Sequence, residues 1–100
     1  MASEYVENAK VFKAFCDENR LRILELLRSG EKCACVLLDD LHITQSTLSH
    51  HMKILCDCGL ISARKEGKWS YYTINKDVLS GFQNFVESLE SGGKGSCSCS

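Results

Sequence analysis

The segment 34–74 constrains the fold of this chain more than any other part of its sequence. Within it, apolar residues recur at helical spacing in two short runs that are separated by a turn. Thr44 can cap the start of the second run, and Gly59 follows its end. We therefore predict two short helices, over 34–41 and 45–57, joined by a tight turn.

A β-hairpin is predicted directly after these helices. Residues 61–65 and 69–74 form two strand-like runs, and the short connection between them contains Gly67. Two helices joined by a tight turn and followed by a hairpin are typical of a winged helix-turn-helix unit. In such a unit the second helix reads the major groove of DNA.

Further helices flank this unit. Helical spacing predicts one helix over 4–15, a second that is capped by a residue among 17–19, and a last one that Asp77 caps. The predicted order is α-α-α-α-β-β-α, a mainly helical and dimeric fold with a β-hairpin wing. We predict a DNA-binding and dimerisation domain over 1–90 and a flexible, cysteine-containing tail over 91–100.

Composition and charge exclude several classes of protein. The length of 100 residues suits one domain, and no apolar run approaches the ~18 residues that a membrane-spanning helix needs. With no signal peptide recognised either, we expect a cytoplasmic protein without a membrane partner. No Gly-rich phosphate loop and no supported nucleophile arrangement is found, which argues against an enzyme.

Candidate DNA contacts lie in the second predicted helix of the unit and in its hairpin. The formal net charge is −1, but residues 44–73 carry four cations against two anions, which fits a local DNA-binding face. Gln can pair with adenine, Ser and Thr can bind phosphates or bases, and hairpin cations can meet phosphates. The candidates are Gln45, Ser46, Thr47, Ser49, His50 and Lys53 in the helix and Arg64, Lys65 and Lys68 in the hairpin. We expect His42 and His51 to face solvent or DNA.

Four segments together resemble the ArsR/SmtB family of metal- and metalloid-responsive repressors, and the likeness extends over about residues 5–90. The resemblance implies a homodimer formed by the first and last helices, bound to a pseudo-palindromic operator in double-stranded DNA and released by an inducer. The apolar stripe from Phe82 to Leu89 is consistent with such an interface. The segments that carry the likeness are Asn19–Leu27, Thr44–Leu55, Gly59–Ile61 and Glu66–Tyr72.

Seven cysteines are unusual for a chain of this size, and six of them lie in Cys-x-Cys pairs. Cysteines so close in sequence rarely form structural disulfides with each other, so thiolate chemistry with a soft metal or an oxidant is the better interpretation. Cys16, outside these pairs, is expected to be structural.

Cys33 and Cys35 resemble the Cys-x-Cys of arsenite- and cadmium/lead-responsive members of the family. A helix N-terminus would lower their thiol pKa values and favour the ligand form. Residues i and i+2 of a regular helix point about 200° apart, so we expect that one ion could bind both sulfurs only if the first helical turn distorts. The arsenite pattern has a third cysteine where this chain has Leu38.

The remaining thiolates offer a third ligand. Cys97 and Cys99 in the tail can chelate without strain, and from Glu90 the spacer can reach ~25 Å. Cys56 resembles a helix-end cysteine of one cadmium/lead subgroup. Our main hypothesis is release from DNA by arsenite or antimonite, with cadmium or lead, or thiol redox or reactive-sulfur sensing, as alternatives. The last helix lacks the histidine of the family's zinc site.

Overall fold

The computed structural model describes residues 4–91. Within that range the chain forms five helices and three strands in the order α-α-β-α-α-β-β-α. The bounds are α1 Glu4–Ala14, α2 Glu18–Leu27, β1 Lys32–Cys33, α3 Ala34–Leu41, α4 Gln45–Asp57, β2 Ile61–Glu66, β3 Trp69–Ile74 and α5 Lys76–Ser91. No helix in this range is long and apolar enough to cross a membrane.

The predicted helix-turn-helix is confirmed. Helix α3 ends at His42, which adopts a left-handed backbone with φ of 55°. Thr44 is extended and caps α4, since its Oγ1 accepts a hydrogen bond of 3.2 Å from the Thr47 N–H. The short connection between α3 and α4 therefore contains one residue that closes a helix and one that opens the next.

The wing, which is the hairpin of β2 and β3, is part of a three-stranded antiparallel sheet and does not stand alone. Strands β2 and β3 pair over their whole length, as predicted, with Gly67 at a positive φ in the connection. The two-residue strand β1, which the sequence analysis did not predict, pairs with the other edge of β3, giving the order β1-β3-β2. This strand ties the start of α3 to the wing.

One apolar core lies beneath the helix-turn-helix. Its largest fully buried side chains come from α2, α3, α4 and the segment just after α4, and each Leu or Ile buried in this way contributes roughly 2 kcal/mol. The predicted buried stripe of α4, Leu48, Met52 and Leu55, is confirmed. The largest fully buried residues are Ile23, Leu27, Leu37, Leu55 and Leu60.

One of two predicted helix caps is confirmed and the other is wrong. Asp17 caps α2, as one of the predicted candidates, but Asn75 rather than Asp77 caps α5: its Oδ1 accepts hydrogen bonds from the N–H groups of Asp77 and Val78. Both residues are good caps, and Asp77 lies in the first turn where its charge suits the helix dipole. Helix α5 includes Ser91, and the remainder of the predicted tail, with Cys97 and Cys99, lies outside the described residues.

Candidate DNA-binding surface and thiol pair

The outer face of α4 carries most of the candidate DNA-contacting side chains. Gln45, Ser46, Ser49, His50 and Lys53 are exposed, whereas Thr47 is half-buried and accepts a 2.9 Å hydrogen bond from the Thr44 hydroxyl. The exposed residues and the buried stripe each recur at helical spacing, so most of the exposed residues lie on the side of α4 opposite the stripe. The face therefore offers short polar groups and an amide, the side chains that suit base edges and phosphates.

The wing adds two cations that lack ionic partners. Lys65 and Lys68 are exposed, and neither forms an ion pair with any residue in the described part of the chain. Lys68 Nζ lies 5.8 Å from the centre of the Trp69 ring, which is itself 48% exposed. The sequence analysis did not select Trp69 as a DNA-contact candidate, although an aromatic residue beside lysines at a wing tip is a signal that could have indicated this role.

Arg64, the third cation of the wing, is already engaged. Its Nε and Nη2 donate hydrogen bonds of 3.1 and 2.8 Å to the two carboxylate oxygens of Glu31, and Nη1 donates one of 2.8 Å to Glu66. The guanidinium also lies 4.7 Å from the centre of the Tyr71 ring. Hydrogen bonds to Glu31 and Glu66 raise the pKa of Arg64, and the same bonds lower the pKa of Glu31. A DNA contact by Arg64 would have to use its remaining N–H groups or displace one of these carboxylates.

Cys33 and Cys35 bring their sulfur atoms together at the start of α3. Cys33 is not a helical residue: it ends β1 and is the extended N-cap of α3, with φ of −75° and ψ of 149°. The Cys35 thiol donates to Cys33 Sγ across 3.0 Å. The expectation that the first turn of the helix must distort to join the two sulfurs is therefore wrong, because the bend between strand and helix already joins them.

The two thiols differ in acidity. The hydrogen bond from Cys35 lowers the pKa of Cys33, and backbone N–H groups at the start of α3 lower it further, while the same thiol–thiol bond raises the pKa of Cys35. Within residues 4–91 no backbone N–H donates a hydrogen bond to Cys33 Sγ, so the N–H groups at the start of α3 act on this sulfur through their dipoles. The pair thus consists of one thiolate-prone sulfur and one proton donor, both accessible from solvent.

The other described cysteines do not join this pair. Cys56 is half-buried at the end of α4, where burial raises its pKa, and the buried Cys58 donates to the Leu55 carbonyl oxygen. Cys16, expected to be structural, is exposed and donates to the Phe12 carbonyl oxygen. No group of three or more His, Cys, Asp or Glu side chains within residues 4–91 is arranged to hold a metal ion.

His51, expected to face solvent or DNA, is buried instead. Its Nδ1 lies 3.2 Å from Arg20 Nη1, and its Nε2 lies 3.9 Å from Asp17 Oδ1. Arg20 also donates to the carbonyl oxygens of Lys13 and Ala14 at the end of α1. Position 51 falls on the apolar stripe of α4, a signal that predicts burial, and its partners fix α4 to the junction of α1 and α2.

Apolar side chains remain exposed on α1 and α5. Phe12 contacts the rings of both Phe82 and Phe85, so the two helices pack together through aromatic residues. Several large apolar groups on these two helices nevertheless remain exposed to solvent. These are Tyr5, Val6 and Phe12 on α1 and Val86 and Leu89 on α5.

Known proteins share both the sequence pattern and the fold. A family model described as "Bacterial regulatory protein, arsR family" matches residues 17–63. An uncharacterized HTH-type transcriptional regulator of Methanocaldococcus jannaschii is 42% identical over 87 residues, 86% of this chain and 98% of the relative. An arsenical resistance operon repressor of Staphylococcus aureus is 45% identical over 75 residues, 75% of this chain and 72% of the repressor.

A solved structure extends the likeness to three dimensions. The homodimeric winged helix-turn-helix DNA-binding domain of a possible ArsR-family regulator from Mycobacterium bovis superposes with a TM-score of 0.73 at 31% identity. The superposition covers 95% of this chain and 93% of that domain. Sequence and fold therefore point to the same class of DNA-binding proteins.

Proposed function

Because the chain belongs to the ArsR family of bacterial regulatory proteins and has its winged helix-turn-helix fold, we propose that it is a repressor that trivalent arsenic or antimony releases from its operator. Members of this family are DNA-binding transcriptional regulators and not enzymes. In the proposal the inducer binds Cys33 and Cys35, and DNA is bound by α4 and the wing. The similarity to an arsenical resistance repressor supports the choice of inducer.

The thiol pair is the observation that carries this proposal. Its sulfur atoms lie 3.0 Å apart, one of them has a lowered pKa, and α3 continues directly into the turn that opens α4. Soft, thiophilic ions prefer thiolate ligands, and two thiols held together lose little side-chain entropy on binding. A ligand site of this kind adjoins the DNA-reading helix without lying on its exposed face.

The chemistry needs no oxidant. Each thiol that binds arsenite replaces one hydroxide of As(OH)₃: a sulfur–arsenic bond forms, an arsenic–oxygen bond breaks, and the thiol proton leaves with the hydroxide as water. The thiolate character of Cys33 favours the first substitution. Cys35, which hydrogen-bonds to it, is placed for the second.

A third thiolate must come from outside this pair, or the site works with two. Leu38, at the position of the family's third cysteine, packs against the core. We propose Cys97 and Cys99 of the tail as the donors. Cys56, half-buried at the end of α4, remains the candidate for the alternative cadmium or lead response because it resembles the helix-end cysteine of one cadmium/lead subgroup.

A homodimer formed through α1 and α5 completes the proposal. The exposed apolar groups on these helices form a suitable surface, and a structural relative is described as homodimeric. Two recognition helices would then meet DNA about 34 Å apart or a multiple of that distance. In sedimentation velocity, Leu89→Glu should shift the protein from dimer to monomer, whereas Leu21→Glu, the same change at an exposed position of α2, should not.

The inducer is tested on a DNA duplex selected from a random library by the wild-type protein. With a phosphine reductant present, sodium arsenite should weaken binding of the wild-type protein and of Cys16→Ser, which removes an exposed thiol elsewhere. The double variant Cys33→Ser/Cys35→Ser should bind DNA and ignore arsenite. Retention of the full response by this variant would refute the proposed site.

The same duplex separates the alternatives. Cadmium sensitivity that Cys56→Ser removes, without arsenite sensitivity, would favour the cadmium/lead alternative. Loss of DNA binding on mild peroxide treatment, if it needs no metal and is reversed by reductant, would favour redox sensing. The two sulfur atoms lie 3.0 Å apart, so the thiols can give two electrons and two protons to the peroxide as a disulfide forms between them.

A further inference from the structure

The ion pair between Glu31 and Arg64 connects the segment that carries Cys33 and Cys35, here called the thiol segment, to strand β2 of the wing. Glu31 lies just before β1, and Arg64 lies on β2, two strands away in the order β1-β3-β2. Two hydrogen bonds of 2.8 and 3.1 Å join the guanidinium and the carboxylate in a fork. A fork of this kind fixes distance and orientation together, unlike a single contact between surface charges.

The residues that lie between Glu31 and Arg64 form one row across the sheet. Tyr71 on β3 is the register partner of Cys33 on one side and of Arg64 on the other. Side chains paired in this way lie on the same face of a sheet, and the Arg64 guanidinium indeed lies over the Tyr71 ring. Cys33, Tyr71, Arg64 and Glu31 thus form a closed unit, which we call the brace.

We propose that the brace transmits ligand binding at Cys33 to the wing, with Glu31 as the positioning residue that holds Arg64. This inference rests on the proposed function, whose ligand site it connects to DNA. Ligation of one ion by both sulfurs replaces the thiol–thiol hydrogen bond of 3.0 Å with two sulfur–ion bonds, which impose their own length and angle on the pair. Binding must therefore move Cys33, Cys35 or both.

The two sulfurs differ in what moves with them. Cys33 lies in β1 and is followed directly by α3, so a displacement of its backbone shifts β1 and with it Glu31. If Arg64 follows its carboxylate, the hairpin that carries Lys65 and Lys68 moves with it; if Arg64 releases the carboxylate, the hairpin loses this link to β1. Packed elements with fixed partners amplify small shifts in this way.

Glu31→Gln and Glu66→Gln make a matched pair of variants. Each removes one carboxylate charge from the same guanidinium, but only Glu31 joins Arg64 to the thiol segment, because Glu66 lies on the same strand as Arg64. The quantity to measure is the factor by which saturating sodium arsenite weakens binding to the selected duplex. Such factors typically lie between about 5 and 150. We expect Glu31→Gln to reduce the factor at least threefold and Glu66→Gln to leave it within about 1.5-fold of wild type.

A second measurement tests for coupling through the brace in the absence of arsenite. Coupling is reciprocal, so DNA should change the iodoacetamide alkylation rates of Cys33 and Cys35, quantified by peptide mass spectrometry. This change should persist in Glu66→Gln and disappear in Glu31→Gln. Far-UV circular dichroism verifies that both variants are folded.

The outcomes separate the brace from the proposed function. If wild type ignores arsenite but DNA alters thiol rates only while Glu31 is present, the proposed inducer fails and the brace stands. If Glu31→Gln matches wild type in both measurements, or if both variants lose coupling equally, the brace is refuted. Absence of wild-type coupling in both measurements refutes it as well.

Discussion

His51 should make the folded protein lose stability between neutral and mildly acidic pH. The residue is only 6% exposed, and its Nδ1 faces a guanidinium nitrogen of Arg20 at 3.2 Å. A guanidinium can only donate, so Nδ1 must present its lone pair and the ring is neutral. Protonation would place two hydrogen-bond donors and two positive charges against each other.

The direction and size of this change in stability follow from the surroundings of His51. Burial lowers the pKa of His51, the Asp17 carboxylate opposes it, and the charges of Arg20 and His50 add to the lowering. The unfolded chain takes up this proton near pH 6.5, the folded chain only at lower pH. Stability from this group is complete above pH 6.5 and is lost as pH falls towards the folded pKa. One proton corresponds to about 1.4 kcal/mol per pH unit, so the loss from pH 7.5 to 5.5 is at most about 1.4 kcal/mol.

Urea unfolding followed by circular dichroism at pH 7.5, 6.5 and 5.5 measures this loss, at one protein concentration because a dimer's stability depends on it. His51→Asn keeps an oxygen that can accept from Arg20 but cannot titrate. His50→Asn, a change at the exposed neighbour, is the control. The difference between two pH profiles removes the contributions of all other groups, including Cys33. Equal pH slopes in wild type and His51→Asn would refute the reasoning, as would loss of the slope in His50→Asn.

Three further changes probe the cap, the core and the wing. Asp17→Ala should lower the free energy of unfolding by about 1–2 kcal/mol because the carboxylate caps α2 through two backbone N–H groups, while Asp17→Asn should cost less than half as much in the same urea assay. Leu37→Ala, at a fully buried side chain, should cost about 2–5 kcal/mol, and a cost below about 1 kcal/mol would contradict that burial. Replacing Lys65 and Lys68 together with Gln should weaken DNA binding and reduce the log–log salt slope by about two per subunit, or about four for the dimer. Arg64→Gln should change the slope by less than about one half per subunit, because carboxylates already neutralise Arg64. Equal slope changes would contradict that assignment.

Local signals were sufficient to predict the helix-turn-helix. Thr44 caps α4, the stripe of Leu48, Met52 and Leu55 is buried, and the positions opposite that stripe are exposed. Each of these features depends on residues within four positions of one another. The same is true of the hairpin, whose Gly67 has the positive φ that its connection requires.

Features that depend on distant partners could not be predicted in this way. Strand β1 contains only two residues and exists because β3 offers it a free edge. Without that strand the register that joins Cys33 to Tyr71 is unknown, and the Glu31–Arg64 fork, 33 residues apart in sequence, gives no periodic signal. Burial of His51 follows from its place on the α4 stripe, but its neutral state depends on Arg20, which another helix supplies.

The position of Cys33 changes how an inducer can act on DNA binding. If both thiols lay within a helix, joining them would require unwinding of its first turn, and the helix would carry the signal. Cys33 is extended, and its sulfur atom already lies 3.0 Å from the sulfur of Cys35, so α3 can stay intact when an ion binds. The strained element is then β1, the smallest strand, which is held by its pairing with β3 and by the Glu31 fork. Because β1 borders the wing, we expect inducer binding to alter phosphate contacts of the wing before base contacts of α4, so that arsenite should lower the salt slope of binding more than its sequence specificity.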